Sequence, residues 1–354
     1  MISILLAATW IGIGDVQNPP NTEPLRKIGA PRGWPEEYQT RGAVPYYFLV
    51  KSRPESAAEL AEYLRALGRW DTEIIGSGVF NGAVRRAPDG AVKQRYPAIL
   101  TLRSGVPEAI DPNMPAWGWS SEQARRYINW LHNGKPDPAS AADIEHGAYD
   151  CTQTPCRADR LPEARMFLLT WNEYHKVAYW SVEEQRYTLL PNGRDFCTAG
   201  EGPGDGTRFN VSRCWAEGED PDATATGGCC ACQPRGPEPG ALCDVRPLGT
   251  YATRSAFGVE GLCGFGFTLL ETRGFDSSVF PYVPSDRFGL NAGINPYLPA
   301  LDCRNIRLGQ GRVSSRAMPT LVLVGSRAQS GSGLSGEPLV LALLVLARRR
   351  RGGR

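Results

Sequence analysis

The chain has 354 residues, 42% of them apolar, with 40 glycines and 29 prolines, which fits one large, turn-rich domain able to bury a substantial core. Its formal charge of +2 misleads, because Arg348 to Arg351 and Arg354 crowd the C-terminal end; the rest is slightly acidic, and no nucleic-acid footprint is expected. No internal repeat, Gly-x-Ser-x-Gly elbow or phosphate-binding glycine loop occurs, which sets aside the functions those motifs carry.

Residues 1–8 hold a short apolar run, Ile2 to Ala8, that ends in Ala7 and Ala8 as a signal h-region does. No basic segment precedes it, so a signal remnant and a first strand both remain open. Ser56 and Glu59 form a Ser-x-x-Glu capping box before Leu60, Tyr63, Leu64 and Leu67, which recur at helical spacing. Gly76, Gly78, Gly82 and Gly90 mark turns between short strands such as Val79 to Val84. A second helix opens at Ser120 with Gln123 as its capping partner. Ala124, Tyr127, Ile128 and Leu131 form its apolar face, and Asn133, Gly134 and Pro136 stop it. His132 is expected to bond the terminal carbonyls of that helix. A third helix opens at Thr170 with Glu173, and places Trp171, Tyr174, Val177 and Ala178 on one side.

Ten cysteines (Cys151, Cys156, Cys197, Cys214, Cys229, Cys230, Cys232, Cys243, Cys263 and Cys303) form an even set that points to an oxidising compartment. Closing Cys151 with Cys156, and bridging within the 214–243 cluster, would limit the freedom of Gly-, Pro- and Asp-rich loops. A thiolate metal site at Cys229, Cys230, Cys232 and Cys243 is the alternative. Its CCxC start departs from the usual paired zinc spacing, which favours disulfides. The three histidines, His132, His146 and His175, make no pair spaced for zinc or non-haem iron.

Several phrases share one source. Asn129 to Pro136 reads NWLHNGKP, Thr170 to Trp180 reads TWNEYHKVAYW, and Glu145 to Tyr149 reads EHGAY. With Tyr46 to Leu67, these resemble the sulfatase-modifying-factor family, also called formylglycine-generating-enzyme-like domains, over roughly residues 9–315. Trp10, Gly12, Gly14 and Asp15 resemble the family's opening phrase and mark Trp10 as the start of the folded domain. The resemblance implies an α+β class and a C-type-lectin-like fold, with few helices, twisted antiparallel strands and many long loops. Active family members oxidise a sulfatase cysteine to formylglycine with two closely spaced, copper-binding cysteines. The corresponding stretch here, Ser285 to Asn295, contains no cysteine, and Cys303 stands alone downstream. A copper cofactor is therefore not expected.

The resemblance also bears on calcium. Where the family carries GNVWEW, Gly264 to Leu269 reads GFGFTL, with Phe265 in place of the ligand Asn and Thr268 in place of Glu, so packing is kept and the ligand role is not. A second calcium position would fall on Asn210 and Val211 with Asp220 or Asp222. That donor set is thin, since Asp-rich loops are more often only solvated. Arg273 and Gly274, with Ser277 and Ser278, resemble a family turn leading to the last strands.

Residues 316–338 are read as a flexible linker, with Gln329 to Gly336 rich in Gly and Ser, and residues 339–354 as an apolar segment plus an Arg-rich tail. The apolar run Leu339 to Ala347 would rise only ~13 Å as a helix, too short for a stable span. Glu337 and Pro338, that run and Arg348 to Arg351 resemble the bacterial PEP-type C-terminal sorting signal, which implies transient membrane association and processing. A disordered basic tail is the other reading. The chain is thus expected to be an exported, non-catalytic binding or structural module for a peptide, protein or glycan ligand. Trp117, Trp119 or Trp215 would supply exposed aromatic contacts. The alternative is an active oxidase that uses cysteines outside the usual motif.

Overall fold

The computed structural model describes residues 10–13, 18–21, 41–68, 84–85, 100–103, 106–109, 111–116, 119–153, 155–195, 198–199, 208–209, 247–249, 254–262, 267–276, 283–292, 309–312 and 320–327. The architecture is α+β, with few helices and small, mostly antiparallel sheets. A central sheet runs in the order β1 (Trp10–Ile13), β2 (Phe48–Lys51), β15 (Val324–Ser326), β6 (Met166–Leu168), antiparallel throughout. A second sheet runs β13 (Gly309–Arg312), β12 (Val283–Ala292), β11 (Phe267–Asp276), β14 (Thr320–Leu321), with β11 and β14 parallel. Short strands complete the set: β3 (Val84–Arg85), β4 (Leu100–Arg103), β5 (Val106–Ala109), β7 (Trp180–Ser181), β8 (Arg186–Tyr187), β9 (Thr198–Ala199) and β10 (Arg208–Phe209).

Four helices stand among the described residues: α1 (Ala57–Leu67), α2 (Ser121–His132), α3 (Ala141–Glu145) and α4 (Trp171–Tyr179). All four open with a complete capping box, at Ser56 with Glu59, Ser120 with Gln123, Ser140 with Asp143, and Thr170 with Glu173. The α3 box escaped the sequence reading, since five residues offer too little periodicity to betray a helix. The expected apolar faces of the other three are buried, with Leu67 and Leu131 half-buried at their margins.

The central sheet is covered on both sides because its residues alternate. Leu168 and Val324 join α1 and α2 in one core, where Tyr63, Tyr127, Trp130 and Trp119 pack at ring-centroid distances of 5.0 to 6.5 Å. Ile13, Phe48, Val50 and Phe167 face the other way, onto Tyr174, Val177 and Ala178 of α4 and Leu270 of β11. Each such side chain contributes roughly 1.5–3 kcal/mol on burial. Gly325 fits between β2 and β6 only because it lacks a Cβ, which would collide with the Phe167 ring and Leu169.

Three expectations change here. The span 316–338 is not linker throughout: residues 320–326 carry β14 and β15, with Val322 and Leu323 fully buried between the two sheets, so the folded domain runs past residue 315 to at least Arg327. The apolar run Val322 to Val324 offsets the cost of its ordering by filling both cores. Arg273 and Gly274 lie inside β11 at a register shift, not in a turn. Trp119 is not a surface aromatic: it is 2% exposed, and its indole N–H donates to the Ala116 carbonyl at 3.0 Å. Trp10 opens the first strand among the described residues.

Candidate functional site

The N-terminus of α4 carries a buried ionic cluster. Thr170 caps the helix, which sets Glu173 at the third helical position with its carboxylate accepting the Thr170 backbone N–H at 2.7 Å. Arg160 reaches the same carboxylate with both terminal nitrogens, at 3.2 and 2.7 Å, while its Nε donates to Glu271 of β11 at 2.6 Å. One planar guanidinium therefore serves two carboxylates. The Tyr149 hydroxyl donates to Glu271 at 2.9 Å and accepts the Leu168 N–H at 2.9 Å. On the outside, Tyr46 donates its hydroxyl to Glu173 at 2.6 Å although its ring is 47% exposed. All four oxygens of Glu173 and Glu271 accept a hydrogen bond. Burial lifts the Glu271 carboxyl to about 7 against the pull of Arg160, and the neighbouring Glu173 adds to the rise.

The loop that delivers Tyr149 and Arg160 is fixed covalently and by backbone bonds. Cys151 and Cys156 form a disulfide, Arg157 N–H bonds Asp150 O at 2.9 Å, and Leu161 N–H bonds Ala148 O at 2.8 Å. Asn129 of α2, 0% exposed, holds Tyr149 from the other side, accepting its N–H at 2.7 Å and donating to its carbonyl at 2.9 Å. The short bridge is the one the cysteine spacing proposed. The other eight cysteines lie outside the described residues.

A second cluster sits at the start of α1. Lys51 Nζ bonds Glu55 at 2.6 Å and Glu59 at 2.7 Å, Arg53 stands 3.4 Å from Glu59, and the Tyr127 hydroxyl donates to Glu55 at 2.6 Å. Burial raises Glu55 to about 7, partly offset by Lys51. Burial would raise Glu59 too, but Lys51 and Arg53 outweigh it and bring that carboxyl down to about 2.

The histidines do not assemble. His175 is fully buried, with Nε2 3.1 Å from the Asn21 amide and its ring against Tyr179 and Tyr187; burial, helped by Arg41, drives its pKa far below the ordinary value. His132 does not bond the end of α2 as expected. Its Nδ1 accepts the Arg165 N–H at 3.1 Å, and the Arg165 guanidinium takes the His132 carbonyl instead, a stronger, charge-assisted partner for a helix C-terminus. His146 is exposed beyond α3.

The calcium candidates Asn210, Val211, Asp220 and Asp222 lie outside the described residues, as do Trp117, Trp215, Gly264, Phe265 and Cys303, segment 1–8 and the tail beyond Arg327. Thr268 is fully buried, and its hydroxyl has no hydrogen-bond partner among the described residues. Residues 285–292 lie in β12 between β11 and β13. Among the described residues no group of three or more His, Cys, Asp or Glu is placed to hold a metal ion, and no helix is long and apolar enough to cross a membrane. The joint role of Arg160, Tyr149 and Glu271 is not legible in the sequence; Tyr149 only closes the EHGAY phrase, and the one local signal at Glu271 is a Glu directly after Leu269 and Leu270.

No family model matches the chain, and no curated protein matches it. The solved structures that resemble it include two of low identity. PvdO from Pseudomonas aeruginosa is 13% identical, with a TM-score of 0.40 over 91% of this chain and 92% of that one. Treponema denticola variable protein 1 is 12% identical, with a TM-score of 0.43 over 91% of this chain and 95% of that one.

Proposed function

We propose that the chain is an exported, diverged sulfatase-modifying-factor-like domain that acts as a binding or structural module and not as a copper-dependent oxidase. The observation that carries this reading is chemical: Ser285 to Asn295, the stretch that resembles the family's copper-binding segment, contains no cysteine, and a soft copper(I) ion needs thiolates. Two further features support it. The Cys151–Cys156 disulfide suits an exported protein. Both buried ionic clusters spend their hydrogen-bonding capacity internally, as structural networks do. Ligand contact falls to the long loops and to exposed aromatics, of which Trp10, Tyr46 and Tyr47 stand among the described residues. Membrane-linked processing of the tail belongs to the same proposal.

Copper(I) titration of the reduced protein, combined with an assay on a peptide carrying Cys-x-Pro-x-Arg, tests the central point. Weak copper binding and an unmodified peptide cysteine are expected. Tight stoichiometric binding with conversion of the cysteine to formylglycine would establish the oxidase instead.

A further inference from the structure

The α4 cluster is unbalanced. Arg160, Glu173 and Glu271 have side chains only 10%, 0% and 8% exposed, so two carboxylates share one guanidinium in a site closed to solvent. Among the described residues their remaining hydrogen-bond partners are neutral: the hydroxyls of Tyr149 and Tyr46 and the backbone N–H groups of Thr170 and Arg160. With both carboxylates ionised, the site would bury one net negative charge, which costs several kcal/mol in such surroundings. Arg125 of α2 is the other cation nearby, and its guanidinium carbon lies 5.8 Å from the Tyr149 ring centroid, one ring removed from Glu271.

We propose that the site is a proton-dependent clasp, in which a proton kept on Glu271 lets Arg160 bind Glu173 and Glu271 together and so ties the Tyr46 segment, the disulfide loop, β6, α4 and β11 into one unit. The proton belongs on Glu271 for geometric reasons. Glu173 receives the two-pronged guanidinium contact and sits at a helix N-terminus, where negative charge is favoured, whereas Glu271 lies mid-strand and takes only the Nε of the guanidinium, its other oxygen accepting the Arg160 backbone N–H at 3.3 Å. Losing the proton leaves Arg160 facing two full charges that also repel each other. The clasp then loosens, at its exposed Tyr46 end first.

The sign follows from linkage. Glu271 is raised to about 7 in the folded chain, so the folded state binds the proton more tightly than the unfolded one. The stabilisation is complete below the ordinary glutamate range and is lost as pH rises through about 7. Glu55 titrates in the same window, so the slope of the wild type alone decides nothing. The readout is the difference between wild type and Glu271→Gln, a neutral side chain of the same shape.

Urea denaturation of the disulfide-intact chain at pH 5 and pH 8 is expected to show a folding constant that falls roughly ten- to a hundredfold more in the wild type than in Glu271→Gln. Equal falls would overturn the clasp. An infrared difference spectrum needs no unfolding: the protonated-carboxyl C=O band lost between pH 6 and pH 8 in wild type should shrink in Glu271→Gln to the part that Glu55 supplies, and, should Glu271→Gln fold poorly, it should remain in Glu55→Gln, where Glu271 is its source. A wild-type spectrum without that band, a band unchanged in Glu271→Gln, or a band absent from Glu55→Gln would equally refute it.

Discussion

The two buried ionic clusters are built from nearly the same parts but differ in charge balance. Each couples the capping glutamate of a helix, Glu59 in α1 and Glu173 in α4, to a second buried carboxylate lifted to about 7, Glu55 or Glu271, and to a buried tyrosine, Tyr127 or Tyr149. At α1 two cations, Lys51 and Arg53, meet two carboxylates drawn mostly from neighbouring sequence. At α4 one cation, Arg160, bridges both carboxylates, which come from positions 173 and 271. A cluster assembled from distant segments holds the fold together. One assembled locally mainly fixes a helix start.

The sharpest way to break the comparison is to remove one cation from each. Arg160→Met should cost about 3–5 kcal/mol at pH 7, because it leaves Glu173 and Glu271 buried with no cation between them. Lys51→Met should cost less, since Arg53 still stands 3.4 Å from Glu59 and leaves that carboxylate a cation. Urea midpoints of the two variants measure both. Equal losses would mean that charge balance does not separate the clusters.

The disulfide separates them by a smaller amount. Cys151 and Cys156 close a short loop whose constraint on the unfolded chain is worth ~2 kcal/mol. That loop delivers Tyr149 and Arg160 to the α4 cluster alone. In the Cys151→Ala, Cys156→Ala double variant, amide exchange should rise at Leu168, whose N–H bonds the Tyr149 hydroxyl, and at Thr170, whose N–H bonds Glu173. The amide of Glu59, bonded to the Ser56 hydroxyl in the α1 cap, should hold its protection up to the global change. Uniform loss of protection would show the disulfide to act only through the unfolded state.

How much of this was legible follows the same divide. The boxes at Ser56, Ser120 and Thr170 are written within four residues each, and the apolar faces behind them follow helical spacing, so sequence alone places three helices and one carboxylate of each cluster. Nothing local says that Glu173 will meet Arg160 or that Arg160 will also hold Glu271, because those partners are set by how β6, α4 and β11 pack. Trp119 misled for a related reason. It sits in irregular sequence where a surface loop is the natural expectation, yet Tyr63 and Tyr127 bury it from other elements. The buried pair Val322 and Leu323 was hidden behind a Gly- and Ser-rich stretch that reads as linker.

The smallest expected effect asks whether a capping box matters in itself or through what it supports. Ser140 and Asp143 make the same reciprocal bonds as Thr170 and Glu173, but both are outlying side chains on a five-residue helix with no buried partner beyond the box. Ser140→Ala should therefore cost at most about 0.5 kcal/mol, the low end for a lost cap. Thr170→Ala removes a similar bond, the 3.2 Å contact from the Glu173 N–H, yet it also frees the start of the helix that aims Glu173 at Arg160, so a loss of about 1–2 kcal/mol is expected. Combining each with Arg160→Met separates the contributions. Thr170→Ala should cost less in the Arg160→Met background than alone, because the carboxylate it positions no longer has its cation, whereas Ser140→Ala should add in full. Simple additivity at Thr170 would reduce that cap to an ordinary helix start, no different in kind from the one at Ser140.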